Sequence, residues 1–360
     1  MSSVSSLTIK GYKSIRQLDN FPLTNLNVLI GANGAGKSNF IGIFKLLNEM
    51  YEQQLQIFVQ KQGGPNSLLH FGRATTEKLH AEFYFDSNGY QFDLIPTNDN
   101  RLIFEREVSW FKGMYYPGST SAILGIGHDE SKLKDAQDKY SPYVRPAVSS
   151  WRVYHFHDTS ESAKVKQPHA SNLNIRLLPD ASNLAAYLRM LKDKYPKDYQ
   201  RIVDAIRLVA PFFDDFVHRA ENNGTVILEW TQKGKPDIPF TAHMLSDGTL
   251  RFICLATLLL QPTILLPSTI LIDEPELGLH PYAITILAEI FKQVAEYRQL
   301  IVSTQSVELI NELSPEDIIV VDQTDGASTF KRFTQDELAG WLEQYSMGEL
   351  WKSNILGGRP

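Results

Sequence analysis

The stretch from Asn25 to Asn39 constrains this chain more than any other. Its first half, Asn-Leu-Asn-Val-Leu-Ile, is a short apolar run of buried-strand type. Its second half, Gly31-Ala32-Asn33-Gly34-Ala35-Gly36-Lys37-Ser38-Asn39, matches G-x-x-x-x-G-K-[ST] position by position, and a helical pattern follows at once. Glycines let the chain turn tightly and bring backbone N–H groups onto phosphate oxygens, while the new helix points the positive end of its dipole at the same charge. Asn33, Gly34, Ala35, Gly36 and Asn39 then belong to a phosphate cradle. Lys37 would reach the β- and γ-phosphates of a nucleotide, and the Ser38 hydroxyl would ligate Mg²⁺.

Composition excludes several alternatives. A length of 360 residues allows two domains or one large domain with an insertion. A hydrophobic share of 43% and a charged share of 21% describe an ordinary globular chain, neither disordered nor fibrous. The net charge of −6 leaves no overall basic footprint, so any nucleic-acid contact must be local. The single cysteine, Cys254, excludes an internal disulfide and lies in an apolar helical run as a small core residue, which fits a reducing cytoplasm. The N-terminal Met-Ser-Ser-Val-Ser-Ser lacks the basic and apolar regions of a secretory signal. Phe252 to Ile272 is almost wholly apolar, but Gln261-Pro262 and Pro267-Ser268 divide it into a helix and a strand. Each is too short to span a bilayer, so the stretch reads as buried core.

Along the chain, Ser6 to Ile15 reads as strand and turn. After the cradle, Phe40, Phe44, Leu47 and Tyr51 recur at helical spacing. The alternating segments His80 to Phe85, Tyr90 to Ile95 and Leu102 to Phe111, the first two joined by Asp86-Ser87-Asn88-Gly89, predict an antiparallel meander with an Asn-Gly turn. Gly113 to Ser149 is irregular and reads as a mobile surface insertion with one helix near Asp129 to Lys139. A strand at Val153 to His157 precedes two helices, the first marked by Leu184, Leu188 and Leu191, the second opened by Pro196 and stopped by Pro211. Thr225 to Trp230 returns to strand. From Gly248 the order is helix to Leu260, strand Ile270 to Asp273, helix Tyr282 to Tyr297, strand Leu300 to Ser303, helix Val307 to Leu313 and strand Ile318 to Asp322. That alternation implies a parallel sheet with helices on its faces. No heptad pattern is sustained, so no long coiled-coil arm is expected.

Two further segments carry chemistry. Thr269-Ile270-Leu271-Ile272-Asp273-Glu274-Pro275 is an apolar strand ending in two acids, which it would hold rigidly at the mouth of the sheet where ligands of open α/β folds bind. Adjacent acids at a strand end are also common solvated termini. With a phosphate cradle in the same chain, Asp273 would hold Mg²⁺ and Glu274 would polarise an attacking water. Leu245-Ser246-Asp247-Gly248-Thr249-Leu250-Arg251 opens a helix with N–H groups and a hydroxyl available to an anion; taken alone an ordinary N-cap by Ser246 or Asp247 is the simpler reading, and the position of the segment some twenty residues before Asp273 tips it toward the anion. His155 and His157 share one face of a strand, but with no Cys or third His nearby a structural or loop-orienting role is the simpler reading. Lys192, Lys194, Lys197 and Arg201 read as a solvated helix face more readily than as a basic patch.

Taken together, the cradle ending Asn-Gly-Ala-Gly-Lys-Ser-Asn, Leu-Ser-Asp-Gly-Thr-Leu-Arg, Ile-Asp-Glu-Pro-Glu-Leu-Gly-Leu-His-Pro and Val-Ser-Thr-Gln-Ser resemble the ABC-type ATPase heads of the SMC, RecF and OLD group, most closely its defence-associated ATPases. The resemblance implies an α/β head with a parallel-sheet P-loop core, an antiparallel β region and a small helical insertion. Residues 1–112 and 218–360 would form the core, and 113–217 the insertion. It implies two heads sandwiching two ATPs, with Ser246, Asp247 and Gly248 of one capping the γ-phosphate held by the other, and Glu276 to His280 crossing between the sites. Three departures from the family pattern stand out. Asp247 occupies a position where many relatives carry Gly. Gln305 stands where many carry a switch histidine, and so would sense the γ-phosphate through a neutral amide. No clear Q-loop glutamine is present, His70 and Gln62 being the candidates.

The expectation is therefore a cytoplasmic ATPase that uses ATP and Mg²⁺ to switch a homodimer. Nucleic acid is a candidate ligand, and the setting implied by resemblance is anti-phage defence or DNA repair. No acid-rich nuclease segment is read after Trp351, so a separately encoded effector such as a nuclease is expected as partner. The rival readings are the nucleotide-binding subunit of a transporter, which would need a clear Q-loop and usually a switch histidine, and an ATP-gated scaffold with little turnover.

Overall fold

The computed structural model describes residues 3–112, 120–219 and 224–359. Part of the insertion expected over Gly113 to Ser149 thus lies outside the described residues. The site rests on a six-stranded sheet of β3 (Leu26–Ile30), β8 (Val153–Tyr154), β14 (Thr269–Asp273), β15 (Gln299–Ser303), β16 (Ile318–Thr324) and β17 (Ala327–Arg332). Its order is β17-β16-β3-β15-β14-β8, and all neighbours are parallel except the β16–β17 hairpin. The continuous apolar runs of the sequence arise because both faces are covered. Leu26, Val28 and Ile30 of β3 turn to one core and Leu29 to the other. Ile270 and Ile272 oppose Leu271 in the same way, Leu300 and Val302 oppose Ile301, and Ile318 and Val320 oppose Ile319 and Val321.

One face carries α5 (Leu184–Lys194), α6 (Pro196–Val209), α7 (Asp247–Leu260) and α8 (Pro281–Ala295), whose apolar side chains join a single core with the sheet. The other carries α1 (Lys37–Tyr51), and beyond it lies a second, antiparallel sheet. That sheet comprises β1 (Ser6–Tyr12), β2 (Ile15–Pro22), β4 (Leu79–Phe85), β5 (Asn88–Pro96), β6 (Leu102–Phe111) and β7 (Thr120–Gly125), in the order β2-β1-β4-β5-β6-β7. Because α1 lies between two sheets it is apolar on nearly every side, with Phe40, Ile41, Ile43, Phe44, Leu46, Leu47 and Met50 all buried. Trp151 wedges against Phe44, Phe83 and Phe85 where α1 meets the antiparallel sheet, and so fixes the entry to β8. Truncating a buried aromatic of this kind costs about 3–5 kcal/mol.

The remaining elements are α2 (Leu55–Lys61), α3 (Pro65–Leu68), α4 (Ser141–Ser150), β9 (His169–Ala170), β10 (Phe213–Val217), β11 (Thr225–Val226), β12 (Glu229–Gln232), β13 (Lys235–Thr241), α9 (Val307–Asn311), α10 (Gln335–Leu342) and α11 (Met347–Lys352). β10, β12 and β13 form a three-stranded sheet that draws on both sides of residue 217, while β8, α5 and α6 enter the central sheet and core. The segment 113–217 is thus interleaved with the rest of the chain.

Two local expectations are corrected. The meander forms, but its first turn is Asp86-Ser87: Phe85 pairs with Asn88, and Asp86 takes φ 55°. No helix forms over Asp129 to Lys139, because its acids bond elsewhere. The Glu130 carboxylate accepts from the Leu55 and Gln56 N–H groups at the start of α2. Asp138 accepts from the Tyr140 and Ser141 N–H groups, so the helix begins at Ser141.

Candidate nucleotide site

The parallel strands deliver the cradle loop, the acids and the segment after β15 to one edge of the sheet, its C-terminal mouth. The loop after β3 turns directly into α1. Gly36 adopts φ 117°, and a Cβ there would lie 2.1 Å from Ser328 Oγ, so conformation and space both require glycine. Ser328 Oγ donates to the Ala35 carbonyl at 2.5 Å and lies 2.7 Å from Ser14 Oγ, which accepts from Asn39 Nδ2 at 2.7 Å. No side chain caps the first turn of α1, and Asn33, Gly34 and Ser38 are exposed. Lys37 is buried, with Nζ donating to the Gly31 and Ala32 carbonyls at 2.6 and 3.1 Å. Burial pulls its ammonium below the usual lysine value, against the opposing charges of Glu274, Asp273 and Glu276.

Those acids follow β14. One carboxylate oxygen of Asp273 accepts from Ser303 Oγ. The other lies 3.9 Å from His155 Nδ1, and the Asp273 main-chain carbonyl accepts from His157 Nε2 at 2.9 Å. Glu274 takes φ 45°, a left-handed conformation that costs about 1–2 kcal/mol. Its N–H donates to the Ser303 carbonyl at 2.9 Å and its carboxylate accepts from Gln305 Nε2. The Gln305 N–H donates to Glu276 Oε1 at 2.8 Å, and burial pushes the Glu276 carboxyl above its ordinary value. Asp273, Glu274, Glu276 and Gln305 thus form one cluster, and Lys37, after the loop that follows β3 in the same sheet, feels its charge. Burial also lowers the His155 imidazole below the usual histidine value, in spite of Asp273.

Among the described residues the start of α7 is not hydrogen-bonded to that cluster. Ser246 caps its own helix, accepting from the Thr249 N–H at 3.2 Å, and Ser246 and Asp247 are exposed. Among the described residues no hydrogen bond joins Ser246, Asp247 or Gly248 to the cradle. Gly248 packs on the loop after the acids, where a Cβ would sit 2.3 Å from the Gly278 carbonyl oxygen. One turn further, the Arg251 guanidinium donates to the main-chain carbonyls of Phe156 (3.0 Å), His157 (2.7 Å) and Leu277.

Several of these residues escape sequence reading. Ser14 and Ser328 carry no motif, and Arg251, although it closes the Leu-Ser-Asp-Gly-Thr-Leu-Arg segment, takes no role of its own from that pattern. His155 and His157 could be flagged as a pair on one face, but their position beside Asp273 depends on β8 joining the edge of the sheet next to β14. His70 Nδ1 is 2.7 Å from the Lys13 carbonyl and Gln62 Oε1 accepts from Lys13 Nζ at 3.2 Å, so both candidates hold the β1–β2 turn and neither is bonded to the acids. Lys192 and Arg201 are paired with Asp215 and Asp198. Among the described residues no group of three or more His, Cys, Asp or Glu could hold a metal unaided. A nucleotide-borne ion fits what is present: an uncapped helix start, an exposed Ser38 and an Asp273 oxygen without a hydrogen bond.

A P-loop after the first parallel strand, paired acids after a second and a helix-opening Ser-Asp-Gly on a third segment define an ABC/SMC-like ATPase head. The chain belongs to the family described as "AAA domain, putative AbiEii toxin, Type IV TA system", which matches residues 26–311. Among solved structures it is similar to an Smc head bound to the C-terminal winged-helix domain of ScpA, with a TM-score of 0.64 and 16% identity, over 94% of this chain and 99% of that one. It is also similar to the Smc head with an extended coiled coil, bound to the C-terminal domain of ScpA, from Pyrococcus furiosus, with a TM-score of 0.61 and 14% identity, over 96% and 99% of the two chains. At these identities the likeness is one of fold. The longest helices described here, α1 and α8, have 15 residues each, so no long coiled coil is present among the described residues. A curated relative, "Urease accessory protein 2" of Cryptococcus neoformans var. grubii, is 32% identical over 191 residues, 51% of this chain and 14% of that protein. No helix among the described residues is long and apolar enough to cross a membrane.

Proposed function

We propose that the protein binds ATP with Mg²⁺ and hydrolyses it in a site completed by a second copy of the chain. The observation that carries this reading is that the cradle loop with Lys37 follows β3 and the acids Asp273 and Glu274 follow β14, which places both at the same C-terminal edge of one parallel sheet. On the proposal, the N–H groups from Asn33 to Asn39 and the Lys37 ammonium cradle the phosphates. Lys37 exchanges its bonds to Gly31 and Ala32 for phosphate oxygens. Ser38 and Asp273 would hold the ion, which when bound offsets charge on the β- and γ-phosphates. Glu274 takes a proton from the attacking water, and Gln305 orients Glu274 and senses the γ-phosphate through its amide. Exposed Ser246 and Asp247, with the half-buried Gly248 beside them, are available to cap the γ-phosphate of the opposite protomer.

By resemblance, the dimer acts as a switch for a separately encoded partner, with nucleic acid as a candidate ligand and defence or repair as the setting. The family description adds a toxin–antitoxin context as a source of such a partner. The departures at Asp247 and Gln305 favour slow or partner-dependent turnover, and the lack of a clear Q-loop glutamine and of a switch histidine argues against a transport role.

Light scattering after size exclusion tests the dimer. Glu274→Gln keeps the shape of the site but removes its base, so its mass should double with ATP and Mg²⁺, and adding Ser246→Arg should abolish the doubling. An unchanged mass for Glu274→Gln, or a dimer that survives Ser246→Arg, would overturn the sandwich.

A further inference from the structure

The Asp273 carboxylate points one oxygen at Ser303 and the other toward an imidazole that neither the motifs nor the family description assigns to the site. β8 pairs with β14 in parallel, Val153 opposite Leu271 and Tyr154 opposite Ile272, so His155 is the next position in register with Asp273. The placement is firmly built. Trp151 anchors the strand's entry, and the His155 N–H donates to the Pro179 carbonyl at 3.1 Å. His155 Nδ1 stands 3.9 Å from Asp273 Oδ2, too far for a hydrogen bond. Two ligands on one ion at bonds of about 2.1 Å lie about 3.0 Å apart at right angles and about 4.2 Å apart when opposite, so the observed gap falls within the span of a shared ion. The His155 side chain is 43% exposed and therefore open to an incoming ion. Its neighbour differs, because His157 Nε2 is already committed to the Asp273 carbonyl.

We propose that His155 is a direct nitrogen ligand of the divalent ion that enters with the nucleotide, so that this site favours a first-row transition ion such as Mn²⁺ over Mg²⁺. The proposal rests on the nucleotide-site reading above. Imidazole nitrogen is a softer donor than water or a side-chain amide oxygen, and it shifts preference from Mg²⁺ toward transition ions. Asp273, Ser38 and the phosphate oxygens supply the hard donors.

The test is Mn²⁺ with ATP, frozen within seconds of mixing, in the wild-type chain and in His155→Gln. Electron spin-echo spectroscopy reads nitrogen coupled directly to the manganese, and calorimetry with each ion reads the ratio of ATP affinity in Mn²⁺ to that in Mg²⁺. The expected result is a strong ¹⁴N coupling in the wild type that His155→Gln removes, with a fall of about tenfold in the Mn²⁺/Mg²⁺ ratio, as a lost metal-site group typically produces. Protein-bound Mn²⁺–ATP without directly coupled nitrogen, or a coupling that persists in His155→Gln, overturns the inference and leaves the nucleotide site standing. Absence of any protein-bound Mn²⁺–ATP overturns the nucleotide reading itself.

Discussion

Glu107 in the antiparallel sheet and Glu276 beside the parallel one are both buried, yet their surroundings treat charge in opposite ways. Burial alone would push the Glu107 carboxyl up, but hydrogen bonds from His128, Ser131 and Tyr90 hold it below the ordinary glutamate value. The donors stand at 2.8, 2.5 and 2.6 Å, and the Lys132 N–H adds a fourth at 2.9 Å. Glu276 is raised by burial, with only partial relief from Thr304 and the Gln305 N–H, and with Glu274 close enough to repel it. A carboxylate whose acceptor positions are filled has nothing left for a ligand and acts as a rivet, here fastening the 128–132 loop to β5 and β6. Acids left short of donors, facing a lysine bonded only to its own loop, form a site whose interactions remain to be completed.

Four substitutions would break or sharpen that contrast. Lys37→Ala, on the open side, should reduce ATP hydrolysis to background while the melting temperature changes little, since among the described residues its ammonium bonds only to two loop carbonyls. A folded variant that turns over normally would remove Lys37 from the site. Glu274→Gln should slow phosphate release by about a hundredfold or more, the upper part of the range for a general base, while ATP still binds. Retained turnover would show that another group activates water.

On the filled side, Glu107→Gln should cost about 2 kcal/mol in chemical denaturation at neutral pH, as loss of charge-assisted hydrogen bonds does, and should leave hydrolysis unchanged. The sign of its pH dependence follows from a folded value that is depressed. The extra stability of the wild type is fully present above the unfolded glutamate value of about 4.3 and is lost as pH falls through the lower folded value. The gap between wild type and variant should therefore close in acid, and a gap that widens there would contradict the rivet. The smallest effect is expected for Gln305→His, a change of a few-fold in rate with a new pH dependence near neutrality, because imidazole titrates there and an amide does not. Identical pH–rate profiles would mean that Gln305 does not act on the reaction.

The same contrast explains what the sequence made legible. The Leu26 to Asn39 strand and loop and the acids after β14 were readable because each is a local pattern, an apolar run ending in polar groups, whereas Gln305 was placed only by its match to the family's switch position. Their meeting followed from alternation of strands and helices. The supports were not readable because they are contacts across long separations: Ser328 lies 314 positions from Ser14, and His157 lies 116 from Asp273. The helix expected over Asp129 to Lys139 failed for a related reason. Glu130 and Asp138 look like helix-surface acids locally, but they bond to the starts of α2 and α4. The two-residue strand β8 carries too little periodicity to announce that it completes the central sheet.

Arg251 gives the clearest forecast of how relatives of this chain will differ. Its guanidinium contacts only main-chain oxygens, those of Phe156, His157 and Leu277, and a main-chain oxygen is the same atom whatever residue bears it. Residues 156 and 277 can therefore drift without loosening this tie. The arginine cannot, because a lysine ammonium offers a point charge in place of a planar fork reaching three fixed acceptors. An alignment of close relatives should accordingly find position 251 invariant and the exposed position 277 variable, while Phe156 is held by its own packing in the core, and the converse pattern would mean that the tie is incidental.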